Sequence, residues 1–201
     1  YLMHWPVAFK PEVQNPEQPQ NFLTPEEAPI IDTWKAMLAC KKKGLARHMG
    51  VSNFSVEKLQ DLISKTDDVP EMNQVELHPL LQQNDLFEYC SKHGIHMTAY
   101  SPLGSGDRSE GMKQENEPNM FDIETIQALA KKHNVAPGQV LIAWSYHRGT
   151  AVIPKSTSEG HIKDNIASAA VNLDKQDLKD LAQLDRHYRY VTGKFFEVPE
   201  K

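Results

Sequence analysis

Apolar segments of two kinds alternate along this chain, and that alternation limits its possible folds more than any other feature. Segments with helical spacing of apolar residues separate short runs that have the character of β-strands. The strand-like runs lie near residues 1–4, 48–51, 73–77, 95–99 and 151–153. Strands that alternate with helices pair in parallel through right-handed crossovers. The sequence therefore predicts an α/β fold, either a doubly wound sheet or a (β/α) barrel.

Residues at helix ends support this assignment. Ser55 is placed to cap one helix, and Gly44 and Gly94 each follow the last apolar residue of a helical stripe. Ser158 is predicted to cap a later helix, in which Ile162, Ile166 and Ala169 would face inward. Two polar segments, 10–29 and 104–119, are rich in Pro, Gly, Asn or Glu and are predicted to be long loops. The second of them has the character of a lid.

Composition excludes several kinds of partner. The formal net charge is −5, which gives no basic footprint for nucleic acid. No apolar run reaches the ~18 residues that a membrane span requires. The two cysteines, Cys40 and Cys90, fall on helical patterns fifty positions apart, which favours a reducing compartment over a disulfide scaffold. We therefore expect a cytoplasmic protein that binds neither nucleic acid nor membrane.

The first residue is a tyrosine inside a strand-like run, and this leads us to expect more chain upstream. A closed barrel has eight strands and typically about 250 residues, so about three β/α units would precede the strands of this sequence. We expect residues 1–201 to form a single domain, with a C-terminal loop or tail over residues 185–201.

Polar residues follow every predicted strand. The carboxyl ends of barrel strands carry the active sites of such enzymes, so these residues are expected to share one rim. They are His4-Trp5, Ser52-Asn53, Asn73-Gln74 with Glu76 and His78, Tyr100-Ser101, and Lys155-Ser156-Thr157-Ser158.

The last of these groups favours a phosphate. Lys155 and the hydroxyls after it lie between a strand and the N-terminus of a helix, where a cation, a helix dipole and backbone N–H groups all attract an anion. An ordinary capped helix beside a solvent lysine is the alternative. The position after the final strand favours the phosphate site, because barrels often bind phosphate there.

The motifs at these strand ends resemble, in order and spacing, those of the aldo-keto reductases. They are Tyr1-Leu2-Met3-His4-Trp5-Pro6, Gly50-Val51-Ser52-Asn53-Phe54, Asn73-Gln74-Val75-Glu76-Leu77-His78-Pro79, Ala99-Tyr100-Ser101-Pro102-Leu103-Gly104 and Val152-Ile153-Pro154-Lys155-Ser156. The resemblance implies a (β/α)8 TIM barrel, of which strands 4 to 8 and their helices are present in this sequence. It also implies a monomer that binds NADPH and reduces aldehydes or ketones to alcohols.

The resemblance assigns roles to individual residues. His4 resembles the active-site histidine that orients the substrate carbonyl, and Trp5 resembles a wall of the substrate pocket. Tyr100 resembles the aromatic residue that stacks on the nicotinamide ring. Ser52, Asn53 and Gln74 resemble the residues that bind the nicotinamide carboxamide.

The remaining assignments concern the other end of the cofactor. Ser101, Leu103 and Ser105 resemble the segment that folds over the pyrophosphate. Asp164 and Asn165 resemble the pair that reaches the adenine. Lys155, Ser156 and Ser158 resemble the clamp on the 2′-phosphate, and the resemblance makes Ile153, Thr157 and His161 further cofactor-binding residues beside it. His161 stands where NADPH-preferring members usually carry an arginine; Lys155 and its hydroxyl neighbours nevertheless favour NADPH over NADH.

The proton donor is the main departure from the family pattern. In the family this donor is a tyrosine that a lysine and an aspartate tune, and all three come from strands that precede those of this sequence. We therefore expect the enzyme's proton donor upstream of Tyr1. The alternative is a regulatory or structural barrel that binds NADP with little turnover.

A metal hydrolase would need a histidine and carboxylate ligand set that the strand ends do not offer, so no metal site is predicted. The aromatic stretch 188–199 would be a plain tail or the family's substrate-specificity loop.

Overall fold

The computed structural model describes residues 1–13 and 19–192. The chain divides into two compact units. The first comprises the described residues of Tyr1–Gln74 and Asp85–His96 with Thr192, and the second comprises Val75–Asn84 and Met97–Val191. The strands Met72–Glu76 and His96–Tyr100 each contribute residues to both units.

The strands are β1 (Leu2–Met3), β2 (Ala8–Phe9), β3 (Phe22–Leu23), β4 (Gly50–Ser52), β5 (Met72–Glu76), β6 (His96–Tyr100) and β7 (Ala151–Val152). The α-helices are α1 (Ile30–Lys42), α2 (Val56–Thr66), α3 (Asn84–Lys92), α4 (Glu124–His133), α5 (Pro137–His147), α6 (Glu159–Ala167) and α7 (Lys175–Ala182). Short 3-10 turns occupy Pro19–Asn21, Glu110–Met112, Met120–Asp122 and Ser168–Ala170.

Parallel pairing is present in both units, which confirms the predicted α/β class. In the first unit β1 pairs with β4 through Leu2 and Gly50, and β4 pairs with β5 through Ser52 and Gln74. In the second unit β6 pairs with β7, with Ala99 opposite Val152. All five predicted strands are present, displaced by no more than about two residues. Closure into an eight-stranded barrel stays a prediction.

Buried apolar side chains form the core of each unit. In the first unit the fully buried residues include Trp34, Val51, Phe54, Leu59 and Leu62. In the second unit they include Leu77, Leu80, Ile126, Leu141 and Leu181. Within residues 1–13 and 19–192, every helix is too short or too polar to cross a membrane.

Helix ends agree with the expected caps at three positions. The Ser55 hydroxyl accepts a hydrogen bond from the backbone N–H of Lys58 at 3.3 Å, which satisfies one of the free donors at the start of α2. Gly44 and Gly94 follow α1 and α3 with φ values of 71° and 69°. Residues with a Cβ adopt this left-handed conformation at a cost, so glycine suits both positions.

The first predicted loop contains strand structure that the sequence prediction missed. β2 and β3 form a short antiparallel pair in which Phe9 lies opposite Phe22, and the two rings meet edge to face at 5.7 Å. Two-residue strands are too short to show the alternation of apolar and polar residues from which strands are predicted. Residues 14–18 of this segment lie outside the described residues.

The prediction for the helix after Ser158 was wrong in two respects. Ser158 does precede α6, but within the described residues its hydroxyl makes no capping hydrogen bond; instead its N–H donates to Ser156 Oγ at 3.1 Å. None of the described residues of α6 is buried: Ile162 is 44% and Ile166 is 74% exposed, and Ala169 in the following turn is also exposed. Apolar spacing defines a face of the helix, but not whether other residues cover that face.

Glu71 supports a prediction about acid stability in the first unit. Its carboxylate accepts a hydrogen bond from Lys41 Nζ at 2.6 Å and also contacts His48 Nδ1. These hydrogen bonds, that from Lys41 first, lower its pKa from 4.5 to about 2. Because the pKa is lowered in the folded state, the carboxylate stabilises the fold above pH 4.5, and this contribution disappears as the pH falls toward 2.

We expect Glu71→Gln to lower the free energy of unfolding at pH 7 by less than about 1 kcal/mol, because exposed ion pairs contribute little. The difference from the unchanged protein should shrink steadily between pH 4.5 and pH 2, when urea unfolding is followed by circular dichroism. The exposed Glu88 of α3 provides the matched control as Glu88→Gln. A difference that stayed constant down to the lowest pH would contradict the assignment.

Candidate functional site

A cavity of about 250 Å³ lies in the second unit, where the segments after β6 and β7 meet the N-terminal ends of α5 and α6. Both polar or charged residues and apolar residues line it. The polar lining residues are Gln139, Lys155, Ser156, His161, Asp164 and Asn165; the others are Leu103, Phe121, Ala136, Pro137 and Gly138.

Lys155 supplies the positive charge of this cavity. Its Nζ lies 2.7 Å from Asp107 Oδ2, and the side chains of both residues are more than 60% exposed. The hydrogen bond from Lys155 holds the pKa of the Asp107 carboxyl below its usual range. An ion pair this exposed contributes little free energy, so an anion that enters the cavity can compete with Asp107 for the ammonium at small cost.

The N-terminus of α6 adds oriented backbone dipoles beside Lys155. Ser156 Oγ accepts the Ser158 N–H at 3.1 Å, and this bond shapes the turn that leads into the helix. The positive end of a helix dipole and a nearby cation both favour a phosphate group. The resemblance assigned the cofactor's 2′-phosphate to residues of this group, and that assignment stays a prediction.

Glycine leaves space among the apolar residues that line the cavity. A Cβ added at Gly138 would lie 3.4 Å from Phe121 Cε1 and 3.8 Å from Leu103 Cδ2, so glycine leaves space beside these side chains. Gln139 Nε2 donates to the backbone oxygen of Asp164 at 3.2 Å and thereby joins the starts of α5 and α6. Aliphatic and aromatic walls with a few polar groups suit a planar heterocycle such as adenine.

A tight turn with unusual backbone conformations follows β6. Ser101, Gly104 and Ser105 have φ values of 50°, 84° and 47°, all in the left-handed region. Ser105 Oγ donates a hydrogen bond of 2.6 Å to Ser101 Oγ. Left-handed conformations cost residues other than glycine free energy, so the surrounding contacts must hold this turn in place.

The first unit brings together four of the residues predicted from the strand ends. Asn53 Nδ2 donates to the backbone oxygen of His4 at 3.0 Å and to Ser52 Oγ at 3.2 Å. Ser52 Oγ in turn donates to the backbone oxygen of Gln74 at 2.7 Å. Asn53 has a φ of 62°, which asparagine tolerates better than most residues. The His4 side chain is exposed, and its ring lies 6.2 Å from that of Trp5.

Tyr100 is not suited to donating a proton. Burial, and then the nearby Glu76 carboxyl, raise the pKa of its phenol well above the usual value. A useful general acid has a pKa near the operating pH, and a phenol with a raised pKa gives up its proton less readily. The stacking role that the resemblance implies for the Tyr100 ring stays a prediction.

Several predicted cofactor residues do not line the cavity within the described residues. These are Tyr100, Ser101, Ser105, Ile153, Thr157 and Ser158. Ile153 is 49% exposed, and its N–H donates to the backbone oxygen of Ala99. Its backbone thus extends the hydrogen bonding between β6 and β7. Conversely, sequence reasoning missed Asp107, Phe121, Pro137, Gly138 and Gln139. Of these, only Pro137 has a sequence signal, because proline is common in the first turn of a helix. The contact between Asp107 and Lys155 spans 48 residues and follows no sequence pattern.

Comparison with known proteins identifies the family of this chain. The sequence model described as "Aldo/keto reductase family" matches residues 1–186. This chain belongs to the aldo/keto reductase family. The Aldo/keto reductase slr0942 of Synechocystis sp. is 42% identical over 199 residues, which are 99% of this chain and 61% of that protein. Aldo-keto reductase family 1 member A1 of Sus scrofa is 38% identical over 192 residues, or 95% of this chain and 58% of that protein.

A solved structure supports the same conclusion for the fold. The apo-form crystal structure of Gox0644 is 34% identical in sequence and gives a TM-score of 0.75, over 92% of this chain and 58% of that one. The chain thus spans about 60% of the length of the aldo/keto reductases that it matches.

Proposed function

We propose that this chain is part of an NADPH-dependent aldo/keto reductase that reduces aldehydes or ketones to alcohols. In this proposal residues 1–201 form one domain and supply strands 4 to 8 of a (β/α)8 barrel. The observation that carries the proposal is the cavity around Lys155, Ser156 and His161, which combines a cation and a helix N-terminus with apolar walls.

The cavity would hold the adenosine end of the cofactor. Lys155 and the N–H groups at the start of α6 would bind the 2′-phosphate, since the ammonium is a cation and the N–H groups are donors at the positive end of the helix dipole. Phe121 would flank the adenine, and Asp164 and Asn165 would hydrogen-bond its edge, while Leu103 would belong to the segment over the pyrophosphate. The exposed ion pair between Lys155 and Asp107 would open at little cost when the phosphate binds.

The polar cluster of the first unit would hold the nicotinamide end of the cofactor. When bound, the nicotinamide supplies a hydride. Ser52, Asn53 and Gln74 would bind the nicotinamide carboxamide, while Tyr100 stacks on the ring. His4 would orient the substrate carbonyl beside Trp5, and its exposed side chain leaves it accessible to a substrate. Hydrogen bonds already connect His4, Ser52, Asn53 and Gln74, so their backbones need little reorganisation on binding.

Carbonyl reduction also needs a proton, and we place its donor outside residues 1–201. The raised pKa of Tyr100 makes that phenol a poor donor. The Cys90 thiol is buried, and its burial raises its pKa to about 11, so it stays protonated and unreactive. Free thiols at Cys40 and Cys90 agree with our proposal of a cytoplasmic protein, which we expect to be monomeric.

The test is turnover by the intact protein. We expect it to bind NADPH and to oxidise it only when an aldehyde or ketone is present, with one alcohol formed for each NADPH consumed. Strong chelation should leave the rate unchanged, whereas a metal hydrolase would lose its activity. Tight NADPH binding with no turnover across a broad carbonyl panel would instead support a regulatory barrel. The absence of NADPH binding would contradict the proposal altogether.

A further inference from the structure

Glu76 holds the segment Tyr190–Val191 by a set of buried hydrogen bonds in the second unit. Its carboxyl group is fully buried and accepts the N–H of Tyr190 at 2.6 Å and the N–H of Val191 at 3.1 Å. His78 Nε2 lies 3.0 Å from the same group. A buried carboxyl group is costly unless donors satisfy it, so each partner matters to the stability of this arrangement.

The Tyr190 side chain in turn supports the segment 104–119. Its ring is only 2% exposed, and its hydroxyl donates to the backbone oxygen of Pro118 at 2.7 Å. A Cβ added at Gly104 would lie 3.2 Å from Tyr190 Cζ, so this glycine lets the turn pack directly against the ring. The Arg108 guanidinium lies over the ring, 5.6 Å from its centroid.

Arg108 links the Tyr190 ring to the turn after β6. Its Nη1 donates to the backbone oxygens of Gly104 and Ser105 at 3.0 and 2.9 Å, and its Nη2 pairs with Glu117. The side chains of Arg108 and Glu117 are only 10% and 12% exposed, so the ion pair is largely shielded from water. The guanidinium thus fixes the carbonyl groups of a turn that contains left-handed residues.

The residues before and after Gly104–Ser105 connect this turn to the cavity around Lys155. Leu103 lines the cavity, and Asp107, next to Arg108, pairs with Lys155. Displacement of Tyr190 would therefore loosen Leu103 and Asp107 together. The connected contacts run from Glu76 through Tyr190 and Arg108 to the wall of the cavity.

We propose that Glu76 and Tyr190 are positioning residues for nucleotide binding. The segment Tyr190–Val191 acts as a brace that keeps the segment 104–119 in the conformation that borders the cavity. This inference rests on the proposed function, because it assumes that the cavity holds NADPH. The brace slows release of the bound cofactor, since the segment 104–119 must move before the nucleotide can leave.

The test compares Tyr190→Ala with Tyr146→Ala in the intact protein. Tyr146 is a matched control because it lies in the same unit and is 59% exposed. We expect Tyr190→Ala to speed NADPH dissociation about tenfold in stopped-flow measurements, with the association rate changed less than about twofold. Binding of 2′,5′-ADP should weaken less than about threefold, because this ligand has no pyrophosphate for the segment to cover.

Limited proteolysis provides a second readout that does not depend on the cofactor. Trypsin should cut after Arg108 or Lys113 about tenfold faster in Tyr190→Ala than in Tyr146→Ala, because the segment opens more often without its brace. If Tyr190→Ala does not fold, Tyr190→Phe and Glu76→Gln should show smaller changes in the same direction. The Phe variant loses only the bond to Pro118, and the Gln variant keeps the shape of Glu76.

Unchanged cleavage and unchanged NADPH dissociation in these variants would overturn the inference. An equal loss of affinity for NADPH and 2′,5′-ADP would also overturn it, since that result indicates general damage to the cavity. If the unchanged protein binds neither nucleotide, the proposed function fails. In that case the cleavage rates of Tyr190→Ala and Tyr146→Ala still test whether Tyr190 holds the segment 104–119 in place.

Discussion

Lys155→Ala is expected to weaken NADPH binding roughly tenfold to hundredfold, because a hydrogen bond to a charged group contributes about 1.5 to 3 kcal/mol. The lysine borders the cavity beside the N-terminus of α6, and in the proposed function it binds the 2′-phosphate. Its exposed ion pair with Asp107 offers little compensation in the free protein, so most of the lost interaction should appear as lost affinity.

The affinity for NADH should change less than about threefold in this variant, because NADH lacks the 2′-phosphate that the ammonium would bind. Lys163→Ala is the matched control: Lys163 lies on α6, pairs with Glu159 at 2.7 Å and has a side chain that is 74% exposed. Fluorescence titration with both nucleotides measures the four dissociation constants. Equal losses for NADPH and NADH would contradict a phosphate role for Lys155.

Gly50→Ala is expected to destabilise the first unit by about 1 to 3 kcal/mol, as is typical when extra atoms enter a well-packed site. Gly50 lies in β4 between β1 and β5. A Cβ added there would lie 2.7 Å from both Leu2 Cδ2 and the backbone oxygen of Met72. The end of the Leu2 side chain can turn away, but the oxygen of Met72 is part of β5 and can move only with its strand.

Gly111→Ala separates this clash from the general effect of replacing glycine. A Cβ at Gly111 would meet no described atom within 4 Å beyond its chain neighbours, so the substitution should be neutral or slightly stabilising through the unfolded chain. Urea unfolding of the intact proteins, followed by circular dichroism, measures both changes. If Gly50→Ala unfolded at the same urea concentration as Gly111→Ala, the close approach of Met72 to Gly50 would be wrong.

Local features of the fold could be predicted from the sequence because their causes are local. The Ser55 cap depends on atoms three residues apart, and the left-handed Gly44 and Gly94 follow directly from their missing side chains. Strand positions were predicted for the same reason, since apolar and turn residues define them within a few positions. The antiparallel pair of β2 and β3 was missed because a strand of two residues is too short to show an alternation of apolar and polar residues.

The candidate site could be predicted only in part. Strand-end motifs indicated the residues that hydrogen-bond in the first unit, among them Ser52, Asn53 and Gln74. They also indicated Lys155 and Ser156 of the cavity, but not the apolar wall that contains Phe121 and Gly138. Phe121 had no signal, because a side chain's role in a wall depends on which other elements pack beside it.

The sequence by itself determined the α/β class, the order of the five parallel strands, the family and most of the polar residues at the strand ends. Only the tertiary structure decided that Asp107 pairs with Lys155, that the Tyr190 hydroxyl donates to the backbone oxygen of Pro118, and that Ile166 is exposed. The physical reason is distance along the chain. Caps and periodic stripes act within a few residues, whereas the Glu76 to Tyr190 hydrogen bond joins residues 114 positions apart and exists only once the chain has folded.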